Sequence, residues 1–154
     1  MTLRVDYFSL APDAIQILMK QEAYLRDHFS ASDTVTVATW ELVKLRVSQI
    51  NQCAFCVDMH SKDALELGES NERLIGLSAW RDMPMYTEVE RTALAWAECL
   101  TAGQAIDDQT YKSTVAVLGE KVLIDLTVAV NAINSWNRVV KAFKPEVGSY
   151  KPQK

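Results

Sequence analysis

Residues 40–60 read Trp40-Glu41-Leu42-Val43-Lys44-Leu45-Arg46-Val47-Ser48-Gln49-Ile50-Asn51-Gln52-Cys53-Ala54-Phe55-Cys56-Val57-Asp58-Met59-His60. The positions Val37, Trp40, Leu42, Val43, Leu45, Val47 and Ile50 are the apolar positions of a helix. The polar trio Gln49, Asn51 and Gln52 then breaks the run. A second helical segment starts near Cys53 and ends at Gly68, a natural C-terminal stop. Two helices joined by a reversal at about Ile50–Asn51 make a helical hairpin, and the rest of the chain is read around it.

Strand signals are nearly absent on either side. There is no Asn-Gly or Asp-Gly turn and no sustained period-two alternation. The β-branched run Thr34–Val37 leads straight into the first helix of the hairpin. Upstream, Pro12 suits the first position of a helix, whose apolar stripe Ile15, Leu18, Met19 and Leu25 fades near Phe29–Ser30. Ser32 or Asp33 can cap the helix that follows and runs through Gln49. Downstream, a short helix covers about Glu72–Trp80, before Pro84. Thr87 and Glu90 fit a capping box opening a helix to about Thr101. Asp107 caps another, ending near Gly119, and a long one runs from about Glu120 to Phe143. The expected fold is all-α, a compact helical domain of six to seven helices with the Cys53-x-x-Cys56 pair at the start of a central helix. One domain is expected over residues 1–154, with its core at about 33–143.

The chain has 154 residues, 49% hydrophobic and 23% charged, which excludes an intrinsically disordered chain. The net charge of −4 and a pI near 5.2 argue against nucleic-acid binding, which needs clustered Lys and Arg. The N-terminal MTLRVDYFSLAPD lacks the apolar core of a signal peptide, and no stretch approaches the ~20 apolar residues of a membrane helix. A cytoplasmic protein without membrane contact is expected. In a reducing compartment a cysteine pair is more often catalytic or metal-binding than structural.

On a helix, Cys53, Cys56 and His60 fall at i, i+3 and i+7, successive positions on one face. Cysteines at i and i+3 lie near the Cα separation that a disulfide tolerates, so the pair can open and close with little backbone movement. The first turn of a helix also favours a thiolate, through its free N–H groups and dipole. His60, one turn beyond Cys56, is in reach of that thiol's proton. Glu41 lies about ten residues before the reversal and His60 about ten after it. The two therefore sit at similar heights on facing helices, where a carboxylate can orient the imidazole. Asp63, at i+3 from His60, is a rival partner. Two other readings stand beside the redox one: plain packing of the cysteines, and zinc held by Cys53, Cys56 and His60. Three ligands on one helix do not easily enclose a tetrahedral ion, and no metal is expected. Cys99, in an apolar helical run, reads as core and His28 as a helix-end surface residue. Trp40, Trp80, Trp96 and Trp136 read as core or interface, with Trp40 and Phe55 as possible walls of a thiol pocket. A weak echo aligns Leu42–Val47 with Leu123–Val128 at an offset of 81 residues. An old duplication of the hairpin would set Asn134 and Asn137 where the first copy has Cys53 and Cys56.

Glu41, Cys53-x-x-Cys56-x-x-x-His60 and the surrounding LRVSQINQCAFCVDMHSKDALELG resemble the AhpD-like alkylhydroperoxidase family, within the carboxymuconolactone decarboxylase-like group. Further likeness lies in Tyr86–Glu88, in TALAWAECLT and in Asn134–Phe143, so it covers about Leu42–Phe143. Decarboxylases of the wider group lack the cysteine pair. The resemblance implies an all-α fold and a thiol-dependent peroxidase. The thiol matching Cys56 attacks the peroxide, the one matching Cys53 resolves the sulfenic acid as a disulfide, and His60 with Glu41 matches the proton relay. Position in the helix alone would favour Cys53 as the more acidic thiol; proximity to His60 favours Cys56, as does the family. The best-known member has a second histidine between its cysteines, where this chain has Phe55. The resemblance also implies a homo-oligomer, trimer or hexamer. The expected partners are a small hydroperoxide and an external dithiol or thioredoxin-like reductant, with no bound cofactor. The competing expectations are a redox- or metal-responsive binding protein without turnover, and a decarboxylase-type lyase.

Overall fold

The computed structural model describes residues 3–152, and every regular element among them is helical. In chain order these are α1 (Tyr7–Leu10), α2 (Pro12–Ser30), α3 (Val37–Ile50), α4 (Ala54–Glu66), α5 (Asn71–Gly76), a 3-10 turn (Leu77–Ala79), α6 (Glu88–Thr101), α7 (Asp108–Leu118) and α8 (Glu120–Phe143). The all-α expectation holds, with eight helices in place of six or seven. The addition is α1, a single turn capped by the Asp6 carboxylate, which accepts from the backbone N–H groups of Phe8 and Ser9. Four residues are too few to carry a helical period, so nothing in the apolar pattern announces it. No helix among the described residues is long and apolar enough to cross a membrane.

Local signals set most of the boundaries. Pro12 stands at the start of α2. Thr87 and Glu90 close the capping box of α6, and Asp107 caps α7 through the Thr110 N–H at 2.7 Å. Gly119, at φ +78°, lets α8 begin directly where α7 ends. Two expectations shift. The cap of α3 is Thr36, whose hydroxyl accepts from the Thr39 N–H, and not Ser32 or Asp33. Helix α3 begins later than that, after Val35, which is fully buried in the core. The segment expected as one helix over 72–80 is α5 followed by the 3-10 turn, with Ser70 as the cap.

Helix α3 is the axis of the packing: α2, α4, α6 and α8 all lie against it. It is buried on nearly every side, from Thr39 through Leu45 and again at Val47 and Ser48. A helix buried all round belongs in the centre of a bundle. Its Trp40, Leu42, Leu45 and Val47 join Leu77, Leu94, Leu126 and Ile133 in one apolar core. Trp40, Trp80 and Trp96 are buried and Trp136 is half-buried against the same core.

The reversal between α3 and α4 is held from α8. Gln52 takes a left-handed backbone at φ +53°, which a non-glycine residue adopts only at some cost. Side-chain amides compensate. Asn51 Nδ2 donates to both Asn134 Oδ1 and Asn137 Oδ1 at 2.9 Å, and Asn137 Nδ2 donates to Ser48 Oγ at 3.0 Å. Lys141 Nζ donates to the Asn51 carbonyl at 2.7 Å. Asn134 and Asn137 thus brace the turn before the cysteines. The internal echo ends there, since α8 runs unbroken through the stretch where a second hairpin would have to turn.

Asn137 is fully buried, so its loss removes the Ser48 Oγ partner on α3 and leaves Asn51 Nδ2 of the turn held by Asn134 alone. Asn137→Ala should lower the unfolding free energy by about 2 kcal/mol in urea titration. A change within about 0.5 kcal/mol would mean that the amide network does not hold the turn.

Candidate active site

Cys53 is the N-cap of α4 and Cys56 lies in its first turn. The two are joined as a disulfide with their Cα atoms 5.3 Å apart, inside the span such a bond requires. Both are buried, against Val140 of α8 and the half-buried Phe55. No side chain caps α4, so its first N–H groups and the positive end of its dipole remain available to a charge on sulfur. Of the two aromatic residues considered as pocket walls, Phe55 packs at the sulfurs. Trp40 lies in the main core against Phe29, with ring centroids 5.3 Å apart.

One turn beyond Cys56, His60 meets Glu41 across the hairpin, with Nδ1 2.9 Å from Glu41 Oε2. The facing-helix register expected from residue spacing is therefore present. The other carboxylate oxygen, Oε1, lies 2.5 Å from Lys44 Nζ. All three side chains are sealed from solvent: Glu41 is 1% exposed, Lys44 4% and His60 7%. Ionic groups persist at such depth only when paired. Burial pushes the Glu41 carboxyl up, but the His60 hydrogen bond and the Lys44 charge outweigh it and hold the group at about 2. Lys44 Nζ also sits 3.7 Å from the centroid of the Trp40 ring, a cation–π contact.

The rival partner Asp63 is occupied elsewhere. Its Oδ1 accepts from the Tyr150 hydroxyl at 2.7 Å, and the phenol is pushed up by burial and by that bond. Lys62 Nζ donates to the Tyr150 carbonyl at 3.0 Å, which ties the C-terminal segment to α4 beside the histidine. Glu22 of α2 faces the same group; its carboxyl is raised by burial, with Lys44 and His60 pulling the other way.

Glu41, His60 and Asp63 bring three potential ligand atoms within 4.8 Å of one another. Each is already committed: Glu41 to an ammonium and an imidazole, Asp63 to a hydroxyl. The thiols that zinc would need are bonded to each other. Cys99 is half-buried on α6, and His28 stacks on Tyr24 and binds its carbonyl at the end of α2. Lys44 and Tyr150 are neighbours of the site that the motif does not name. A lysine within the buried LVKLRV run, three residues after Glu41, is the signal that could have found the first. A cavity of about 250 Å³ opens beside the turn that leads into Cys53, lined by Asn51, Asn137, Arg138 and Lys141.

Residues 20–98 match the carboxymuconolactone decarboxylase family. An uncharacterized Bacillus subtilis protein, YdfG, is 37% identical over 141 residues, 90% of this chain and 92% of its own length. A protein of unknown function from Agrobacterium tumefaciens, provisionally described as the antioxidant defence protein AhpD, superposes with a TM-score of 0.83. It is 34% identical, and the match covers 99% of this chain and all of that one. A peroxidase-related protein from Silicibacter sp. TM1040 superposes with a TM-score of 0.79 at 17% identity, over 92% of this chain and 74% of that one, a likeness of fold alone.

The state of Glu41 links stability to pH. Folded, it stays ionised down to about pH 2; an ordinary carboxyl of its kind protonates near 4.5. Its contribution, on the order of 3 kcal/mol, is complete above about pH 4.5 and drains away as the pH falls towards 2. Unfolding curves across that window should show this decline in the parent. Glu41→Gln should be less stable at neutral pH and lose less on acidification; an equally steep acid decline in that variant would assign the slope to other groups.

Proposed function

This chain belongs to the carboxymuconolactone decarboxylase family, among its AhpD-like members, and we propose that it is a dithiol peroxidase that reduces small hydroperoxides. The observation that carries the reading is the hydrogen bond between His60 and Glu41, one turn past a cysteine pair already close enough to bond. An AhpD-like family and a CxxC pair are what an antioxidant peroxidase of this kind requires.

In the proposed cycle the reduced enzyme starts with thiols at Cys53 and Cys56. Glu41 accepts a hydrogen bond from His60 Nδ1–H, which leaves Nε2 to take the proton of Cys56. The thiolate attacks one peroxide oxygen, the O–O bond breaks, and the departing alkoxide takes the proton from His60. This yields an alcohol and a sulfenic acid at Cys56. The Cys53 sulfur then attacks Cys56, forms the disulfide and releases water. An external dithiol, thioredoxin-like or small, restores both thiols by two exchange steps and leaves as its own disulfide. One hydroperoxide and one dithiol thus give one alcohol, one water and one disulfide. Cys56 is the attacking sulfur because His60 lies one turn from it, and Cys53 resolves. Phe55 between them is apolar, so the relay has one imidazole. Cys99, on α6, takes no part.

Reduced protein should consume hydrogen peroxide and an alkyl hydroperoxide when supplied with dithiol donors, losing two of its three thiols on each oxidation. Cys56→Ser should fall to the uncatalysed background, and His60→Ala should slow turnover by roughly 10²-fold or more. Peroxide turnover that survives Cys56→Ser would overturn the assignment, and lactone or decarboxylase activity that survives loss of both cysteines would favour the lyase reading.

A further inference from the structure

The proposed cycle has no task for Lys44, yet Lys44 is the least expected residue in the centre of the fold. Its neighbours on α3 are Val43 and Leu45, and an apolar side chain would fill the position without the penalty of burying an ammonium. We infer that Lys44 is a positioning residue of the relay: by taking Glu41 Oε1 it turns Oε2 toward His60 Nδ1 and leaves His60 Nε2 as the proton acceptor. The inference deepens the peroxidase reading and rests on it.

Charge arithmetic within the sealed group gives the reason. Lys44 and Glu41 cancel, so the group is neutral overall while the imidazole is neutral. Without the ammonium, Glu41 becomes an unbalanced buried carboxylate beside one imidazole. The surroundings would then favour an imidazolium bound to it, with both ring nitrogens donating and none free to accept from a thiol. Geometry supports the division of labour: one carboxylate oxygen for each partner, at 2.5 Å and 2.9 Å. The ammonium is itself fixed by the Trp40 face at 3.7 Å. The other charged or titratable groups facing this cluster are Glu22 and Arg26 of α2, Asp63 of α4 and Tyr150 of the C-terminal segment. Arg26 lies 5.7 Å from the Trp40 ring centroid, and Asp63 and Tyr150 satisfy each other, so none replaces Lys44 on Glu41 Oε1.

The test uses the full-length reduced protein without peroxide. The chain has two histidines, so the His60 ring proton can be followed by NMR and assigned by its persistence in His28→Gln. In Lys44→Met the His60 titration midpoint should rise by about one pH unit or more, a tenfold gain in proton affinity. Lys44→Arg should return it toward the parent value, and the acid limb of peroxide turnover should move with it. Lys44→Gln keeps a donor and loses only the charge, and it provides the same comparison if Lys44→Met does not fold. A folded Met or Gln variant with the parent's midpoint would overturn the inference. A raised midpoint in a protein whose parent turns over no peroxide would sustain the role of Lys44 and overturn the peroxidase reading instead.

Discussion

The Glu41 carboxylate is the constraint on which the site depends. It stands in the middle of a helix buried on nearly all sides, where water cannot stabilise it. Its charge is supportable there only because an ammonium one turn along α3 and an imidazole from α4 each take one oxygen. This pairing ties the two helices together at one height. It also orients the His60 ring, while α4 itself sets His60 one turn from Cys56. Packing and proposed chemistry therefore share one interaction.

The other end of the hairpin is held by hydrogen bonds between neutral groups. The reversal at Asn51–Gln52 needs a left-handed residue and has no glycine to supply it. Asn134 and Asn137 on α8 grip Asn51, and Lys141 grips its carbonyl. Cys53 thus enters α4 from a turn clamped on its outer side, with both sulfurs shielded by Val140. A dithiol pair that must open and close repeatedly gains from such a frame, since the backbone need not rearrange with each change of redox state.

Much of this was legible in the residues. The spacing of apolar positions announced α3 as a helix, the break at Gln49–Gln52 announced the hairpin, and counting from that break placed Glu41 opposite His60. Capping chemistry located the starts of α6 and α7. What spacing could not show depends on long-range packing. Val35 is buried in the core just ahead of the Thr36 cap of α3, and α1 is too short to leave a period. Tyr150 reaches Asp63 from a segment 87 residues away, which decides the competition between Asp63 and Glu41 for His60. Lys44 lies where α3 is covered by its neighbours, so its charge must be answered internally.

The central claim is that this buried hairpin makes Cys56 the sulfur that meets peroxide. The most direct measurement takes the Cys53→Ser variant, reduces it, exposes it to one equivalent of hydroperoxide and traps sulfenic acid with dimedone for peptide mass spectrometry. The account predicts that the adduct forms on Cys56, because with no resolving thiol the sulfenic acid persists. An adduct confined to Cys99, or Cys56 recovered as the unmodified thiol while peroxide is consumed, would contradict it.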